Sequence, residues 1–99
     1  MRKQIAAANW KMNLTHTEAN SLLNELIAIP STLSAHQEVI LAVPAIYIPL
    51  AIEKLSQNTK VYVAAQNCHQ KSNGAYTGEI SAPMSVSYTH LTLPTIYAV

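Results

Sequence analysis

Asn9 and Lys11 are the residues whose types and spacing most plainly suggest chemistry, standing just past the short apolar run Ile5–Ala8. Positions two apart on an extended chain share a face. An ammonium fixed at the C-terminal end of a buried parallel strand can hold an anion. It can also stabilise negative charge that develops in a transition state. The neighbouring amide can orient that lysine or donate to a substrate oxygen. Taken singly, Lys11 reads more readily as a solvated residue that ends a strand, and Asn9 as a strand-end residue bonded to a turn.

The remaining reactive residue types point elsewhere. Cys68 is the only cysteine, so an internal disulfide and a cysteine-based metal cluster are excluded, and no metal site is expected. The two glycines, Gly74 and Gly78, fall in one stretch. There is therefore no Gly-rich phosphate cradle and no dinucleotide fingerprint. His16 and His36 read as surface residues beside helix ends, and His69 sits in the stretch with the glycines. His90 lies in a C-terminal stretch with no recognisable catalytic context. Asn13-Leu14-Thr15 fits a glycosylation pattern, but Ile5–Ala8 is too short for a signal peptide's apolar region.

Composition narrows the class further. In 99 residues, 49% are hydrophobic, 11% are charged, and the net charge is +1. That is too apolar for a disordered chain and too interrupted for a membrane span. The six basic residues are scattered, so neither nucleic acid nor an anionic membrane is expected as a partner. A single small cytoplasmic domain is the expectation.

Three unbroken apolar runs, Ile5–Ala8, Val39–Val43 and Val61–Ala65, have the pattern of parallel strands buried on both faces. Between the first two, Thr15 and Glu18 form a capping box. Ala19, Leu22, Leu23, Leu26 and Ile27 then follow the spacing of one buried helical face, and Pro30 stops the helix. A second helix is predicted from about Tyr47 to Gln57, with Pro49 in its first turn. The order strand, helix, strand, helix, strand implies an α/β fold. Periodicity alone leaves an open sheet and part of a barrel as alternatives.

Gln66–Ser81 is a long polar stretch of the kind that usually serves a function, and Ser81 with Pro83 announces another helix. Residues 85–99 contain no Asp, Glu, Lys or Arg. Their β-propensity and low charge make them an aggregation risk when unpaired.

Two segments carry a family resemblance. Asn9-Trp10-Lys11-Met12-Asn13 resembles the signature of the triosephosphate isomerase family. Gln66-Asn67-Cys68, continuing through Asn73-Gly74-Ala75-Tyr76-Thr77-Gly78-Glu79-Ile80-Ser81, resembles its long third loop. Val43-Pro44 and Tyr47 fit between them. The resemblance covers residues 1–84, about a third of a barrel of roughly 250 residues. It implies the first three β/α units of an incomplete (β/α)8 TIM barrel. Residues 85–99 do not continue the family pattern and resemble a translated read-through of a sequencing-library adapter.

The resemblance also implies roles. Lys11 would be catalytic, holding a triose phosphate and stabilising an enediolate oxygen, with Asn9 beside it in substrate binding and no cofactor involved. Met12, Gln66, Cys68, Tyr76, Thr77, Gly78 and Glu79 would lie at the interface of a homodimer in the full-length enzyme, Thr77 near the tip of a loop reaching into the partner. Ordinary apolar packing is an equal reading for Met12 and Cys68. The electrophilic histidine, the glutamate base and the closing loop of the family would lie beyond Met84. The fragment alone is expected to be inactive and prone to aggregation. A non-catalytic interaction module using the 66–81 loop, or a small open-sheet binding domain, is the alternative.

Overall fold

The computed structural model describes residues 2–56 and 60–86. Strand β1 (Gln4–Asn9) is followed by helix α1 (His16–Leu26) and a 3-10 turn at Ile29–Thr32. Strand β2 (Gln37–Val43) leads through a 3-10 turn at Ala45–Tyr47 into helix α2 (Ile48–Leu55). Strand β3 (Val61–Ala65), the long connection and helix α3 (Ala82–Val86) complete the order. The strands form one parallel sheet in the order β1-β2-β3.

Local chemistry sets the element ends. The Thr15 hydroxyl accepts from the Glu18 backbone N–H, and the Glu18 carboxylate accepts from the Thr15 N–H at 2.9 Å. Both halves of the expected capping box are therefore present, satisfying donors that a helix start leaves orphaned. Helix α1 ends at Leu26, four residues before Pro30. The physical reason is that a proline has no backbone N–H to donate to the carbonyl four residues back. Pro49 occupies the first turn of α2, where the missing donor is harmless.

The core lies between one face of the sheet and the two longer helices. Leu41, Val43, Val61, Val63 and Ala65 meet Ala19 and Leu23 of α1 and Ile48, Ala51 and Leu55 of α2, with Trp10 closing one end. Ile27, expected on the buried face of α1, is exposed because it caps the helix rather than continuing its stripe.

The expectation of strands buried on both sides fails for β1, whereas Ala42 and Ala64 are buried on the face away from the helices. Alternation and register place Ile5, Ala7 and Asn9 with Glu38, Ile40, Ala42, Tyr62 and Ala64 on that face. All six residues of β1 are exposed, Ile5 to 54%. Nothing pairs with the outer edge of β1 among the described residues. At the N-terminal end of this face, Glu38 is held by Lys3 at 3.2 Å and accepts from the Tyr62 hydroxyl at 3.1 Å. A polar cluster therefore sits where the strands begin.

Ser81 caps α3, its hydroxyl accepting from Met84 N–H at 3.4 Å. Ser85, one turn on, is buried, and its Oγ has no hydrogen-bond partner among the described residues. It lines a groove of about 270 Å3 with Ile46, Ile48, Pro49, Ile80 and Met84. A hydroxyl buried among apolar side chains without a partner is destabilising by about 1–3 kcal/mol. Ser85→Ala should therefore raise the urea midpoint of unfolding, by about 1 kcal/mol in free energy at unchanged m value. An unchanged or lower midpoint would show that the hydroxyl finds a partner in solution.

Candidate active site at the strand exits

Because all three strands run parallel, their C-terminal ends lie along one edge, and the residues just past them are neighbours. Trp10 N–H continues the ladder to Ala42 O at 3.0 Å. The chain then turns sharply. Lys11 has φ +56° and Leu14 φ +79°, left-handed conformations that a residue with a Cβ enters only under constraint. Such constraint concentrates at functional sites.

The holding interactions are visible. Asn9 Oδ1 accepts from Lys11 N–H at 2.8 Å, and Asn13 Nδ2 donates to Trp10 O at 2.9 Å. The Tyr47 hydroxyl donates to Leu14 O at 2.6 Å, fixing the second left-handed residue from the start of α2. Gln66, one residue beyond β3, places Nε2 3.0 Å from Lys11 O, 3.3 Å from Asn9 Oδ1 and 3.2 Å from Ala42 O. Asn9 therefore bonds to the turn that also carries the lysine.

Asn9, Lys11 and Gln66 come together although up to 57 residues separate them in sequence. Lys11 is exposed and lines an open cleft of about 480 Å3 with Met12, Leu14, Glu18, Ile46 and Tyr47. Met12 is 95% exposed and Ile46 76%, so the packing alternative for Met12 is not realised within this chain. Cys68 is exposed as well. Glu18, on the cleft wall, has its carboxyl held below the usual value by the Thr15 backbone N–H and then by the Thr15 hydroxyl.

The connection from Gln66 to Ser81 is a built structure rather than a featureless loop. Its two ends are zipped together: His69 N–H donates to Ile80 O at 2.8 Å, and His69 bridges Ser81 in parallel. The His69 ring lies against Tyr76 at 4.3 Å, and its Nδ1 accepts from Lys71 N–H. Gly74 has φ +138°, and a Cβ there would meet the Tyr76 ring at 2.6 Å, so only glycine fits beneath that ring. Tyr76 is partly exposed and Thr77, Gly78 and Glu79 are exposed, forming a presented tip. His90 and the rest of the C-terminal stretch from residue 87 lie outside the described residues.

Among the described residues, no three His, Cys, Asp or Glu side chains are grouped to hold a metal, and no helix is long and apolar enough to cross a membrane.

Residues 4–90 match the family model described as triosephosphate isomerase. The chain belongs to the triosephosphate isomerase family. It is 49% identical over 88 residues to the triosephosphate isomerase of Flavobacterium johnsoniae, covering 88% of this chain and 34% of that protein. The corresponding protein of Porphyromonas gingivalis is 44% identical over 87 residues, again 88% of this chain and 34% of the relative. A crystal structure of triosephosphate isomerase from Bartonella henselae superposes with a TM-score of 0.72 at 36% identity, over 90% of this chain and 35% of that one. The chain thus spans about a third of the length of the relatives it matches, and its parallel sheet is the opening of a TIM barrel. The family match reaches six residues past Met84.

The capping box makes a pH prediction. A carboxyl whose folded pKa is depressed contributes stability above its unfolded value and loses it as pH falls through the folded value. The Glu18 carboxyl resonance should titrate below its ordinary value of 4.5, and Thr15→Ala should return the midpoint toward that value. A Glu18 midpoint at 4.5 in the unsubstituted chain would show that the box does not persist in solution.

Proposed function

We propose that this chain supplies the first three β/α units of a triosephosphate isomerase, which interconverts dihydroxyacetone phosphate and glyceraldehyde 3-phosphate through an enediolate. The observation that carries this reading is the hydrogen-bonded cluster of Asn9, Lys11 and Gln66 on the C-terminal edge of a parallel sheet. TIM barrels build their active sites on that edge. Lys11 holds the substrate phosphate and faces the enediolate oxygen with a fixed positive charge, and Asn9 is the neighbouring amide. Neither role needs a cofactor. The histidine electrophile, the glutamate base and the closing loop belong to the two thirds of the family fold that residues 1–84 do not span.

The same reading makes the full-length enzyme a cytoplasmic homodimer serving glycolysis and gluconeogenesis. The tip at Tyr76, Thr77, Gly78 and Glu79 docks against the partner's cleft beside Lys11 and Met12, with Cys68 near its root. In support, the tip is preordered by the His69–Tyr76 contact, and the cleft presents Met12 and Ile46 uncovered. Preordering lowers the entropy lost on association. The segment 85–99 is read as extraneous to the family fold, although the family match runs on to residue 90, and genomic sequence running unbroken through the Met84 codon would contradict that.

The test is a full-length barrel in which residues 1–84 are joined to the remaining two thirds of the Flavobacterium johnsoniae relative. A coupled assay should show isomerase activity, and Lys11→Ala should lower kcat/KM by about 10^3-fold, the scale of losing one preorganised electrostatic group. The 99-residue chain alone should show no turnover. A folded joined barrel whose activity is indifferent to Lys11 would contradict the assignment.

A further inference from the structure

His69 stands near the root of the connection between β3 and α3 and ties that root to the tip through three contacts. Its N–H donates to Ile80 O at 2.8 Å, closing the base. Its ring lies against the Tyr76 ring at 4.3 Å, with 33° between the planes. Its Nδ1 accepts from the Lys71 N–H at 3.0 Å. A ring turned over would aim a C–H at that backbone donor, so the donor also fixes which way the ring faces. At the tip, Glu79 N–H returns to Tyr76 O at 3.0 Å.

The contact to Lys71 prescribes the charge of the ring. A nitrogen that accepts carries no proton, so the neutral ring holds its one proton on Nε2. An arriving proton can enter only at Nδ1, where it would meet the Lys71 N–H, donor against donor. The imidazolium must turn away, and the Lys71 amide loses its acceptor. The Tyr76 face tolerates a cation and does not prevent this step. The two rings border a cavity of about 300 Å3 whose charged lining is Lys71 and Glu79, one of each sign. Ser81 and Met84, at the start of α3, bring no charge to it. Imidazole is the side chain that changes charge between about pH 5 and pH 8. We propose that His69 is an acid-sensitive latch: neutral, it holds the 66–81 connection in its presented shape, and protonated, it releases it. The latch belongs to this chain. Its consequence for assembly rests on the homodimer reading above, since a tip that docks on a partner is preordered while the latch holds and loosened in acid.

The latch is tested in the 99-residue chain. At about pH 8 the ring nitrogen shifts of His69 should show Nδ1 bare and Nε2 protonated. As the ring is titrated down to about pH 5, the protection factor of the Lys71 amide should fall about five- to tenfold, the effect of one hydrogen bond. Amides in β2 should keep their protection. His69→Asn supplies an oxygen that accepts from the N–H two residues on and has no ring to titrate, so Lys71 should stay protected in acid. His69→Phe keeps a ring for Tyr76 but offers no acceptor, so Lys71 should be unprotected at either pH. A proton on Nδ1 of the neutral ring, or Lys71 protection unaltered through the titration, would overturn the latch.

In the joined barrel the consequence is read as the dimer dissociation constant, measured by sedimentation at the same two pH values. It should rise about 25-fold in acid, two latches at about fivefold each, and stay within about twofold in His69→Asn. A rise carried over intact into His69→Asn would overturn the latch's part in assembly. Failure of the homodimer reading would look different: Lys71 would still lose its protection on protonation of His69, while the joined barrel sedimented as a monomer at either pH.

Discussion

Parallel pairing of three strands is the constraint on which everything else in this chain depends. Register aligns Asn9 with Ala42 and Ala42 with Ala64, so the residues that follow each strand emerge side by side. Trp10 extends the ladder by one bond to Ala42 O and is buried against the helices. The next residue has nowhere extended to go, and Lys11 turns left-handed. Had β1 run antiparallel to β2, its exit would lie at the far end of the sheet, and Gln66 could not reach Lys11. The cationic site is thus a consequence of topology, with hydrogen bonds from Asn9, Gln66 and Tyr47 holding a conformation the backbone alone disfavours.

The same pairing leaves work undone. Helices α1 and α2 cover one face of β2 and β3 and make a core with Leu23 and Val43 fully buried. The other face keeps Ile5, Ala7, Ile40 and Tyr62 with no helix over them, and the outer edge of β1 unpaired among the described residues. An eight-stranded barrel resolves both problems at once, because closure pairs the edges and fills the interior with inward-facing side chains. The cluster of Lys3, Glu38 and Tyr62 lies at the opposite end of that interior from Lys11. It forms a polar floor at the end of the sheet away from Lys11. In the isolated chain this uncovered face is a hazard, since an open edge strand templates association.

How much of this could be read from residue order depends on how local the cause is. The capping box at Thr15 and Glu18, the first-turn position of Pro49 and the three apolar runs are dictated within a few residues, and the structure contains each of them. Pro30 announces an end, and the N–H it lacks for the carbonyl four residues back agrees with that end at Leu26. Exposure of β1 was not legible from its own residues: Ile5–Ala8 has the composition of a strand covered on both sides. What covers it is not a property of the run. The grouping of Asn9 and Lys11 follows from alternation, whereas the hydrogen bond from Gln66 to Lys11 O spans 55 residues and becomes visible only once β3 lies beside β2. Gly74 carried a turn signal in Asn73-Gly74, yet its tighter requirement, the Tyr76 ring lying over it, is a contact no spacing rule contains. The unpartnered Ser85 hydroxyl is likewise a matter of what surrounds it.

The central claim is that this sheet is the opening segment of a closed barrel whose rim holds Lys11, and hydrogen exchange along β1 tests it most directly. Gln4 and Trp10 donate their N–H groups toward β2, so by alternation the Ile5, Ala7 and Asn9 amides point away from it. In the monomeric 99-residue chain those three amides should exchange freely while their β2 counterparts are protected. In the barrel completed by a relative's remaining two thirds they should become protected too. Protection of Ile5, Ala7 and Asn9 already in the isolated monomer, or free exchange persisting in the completed protein, would contradict this account.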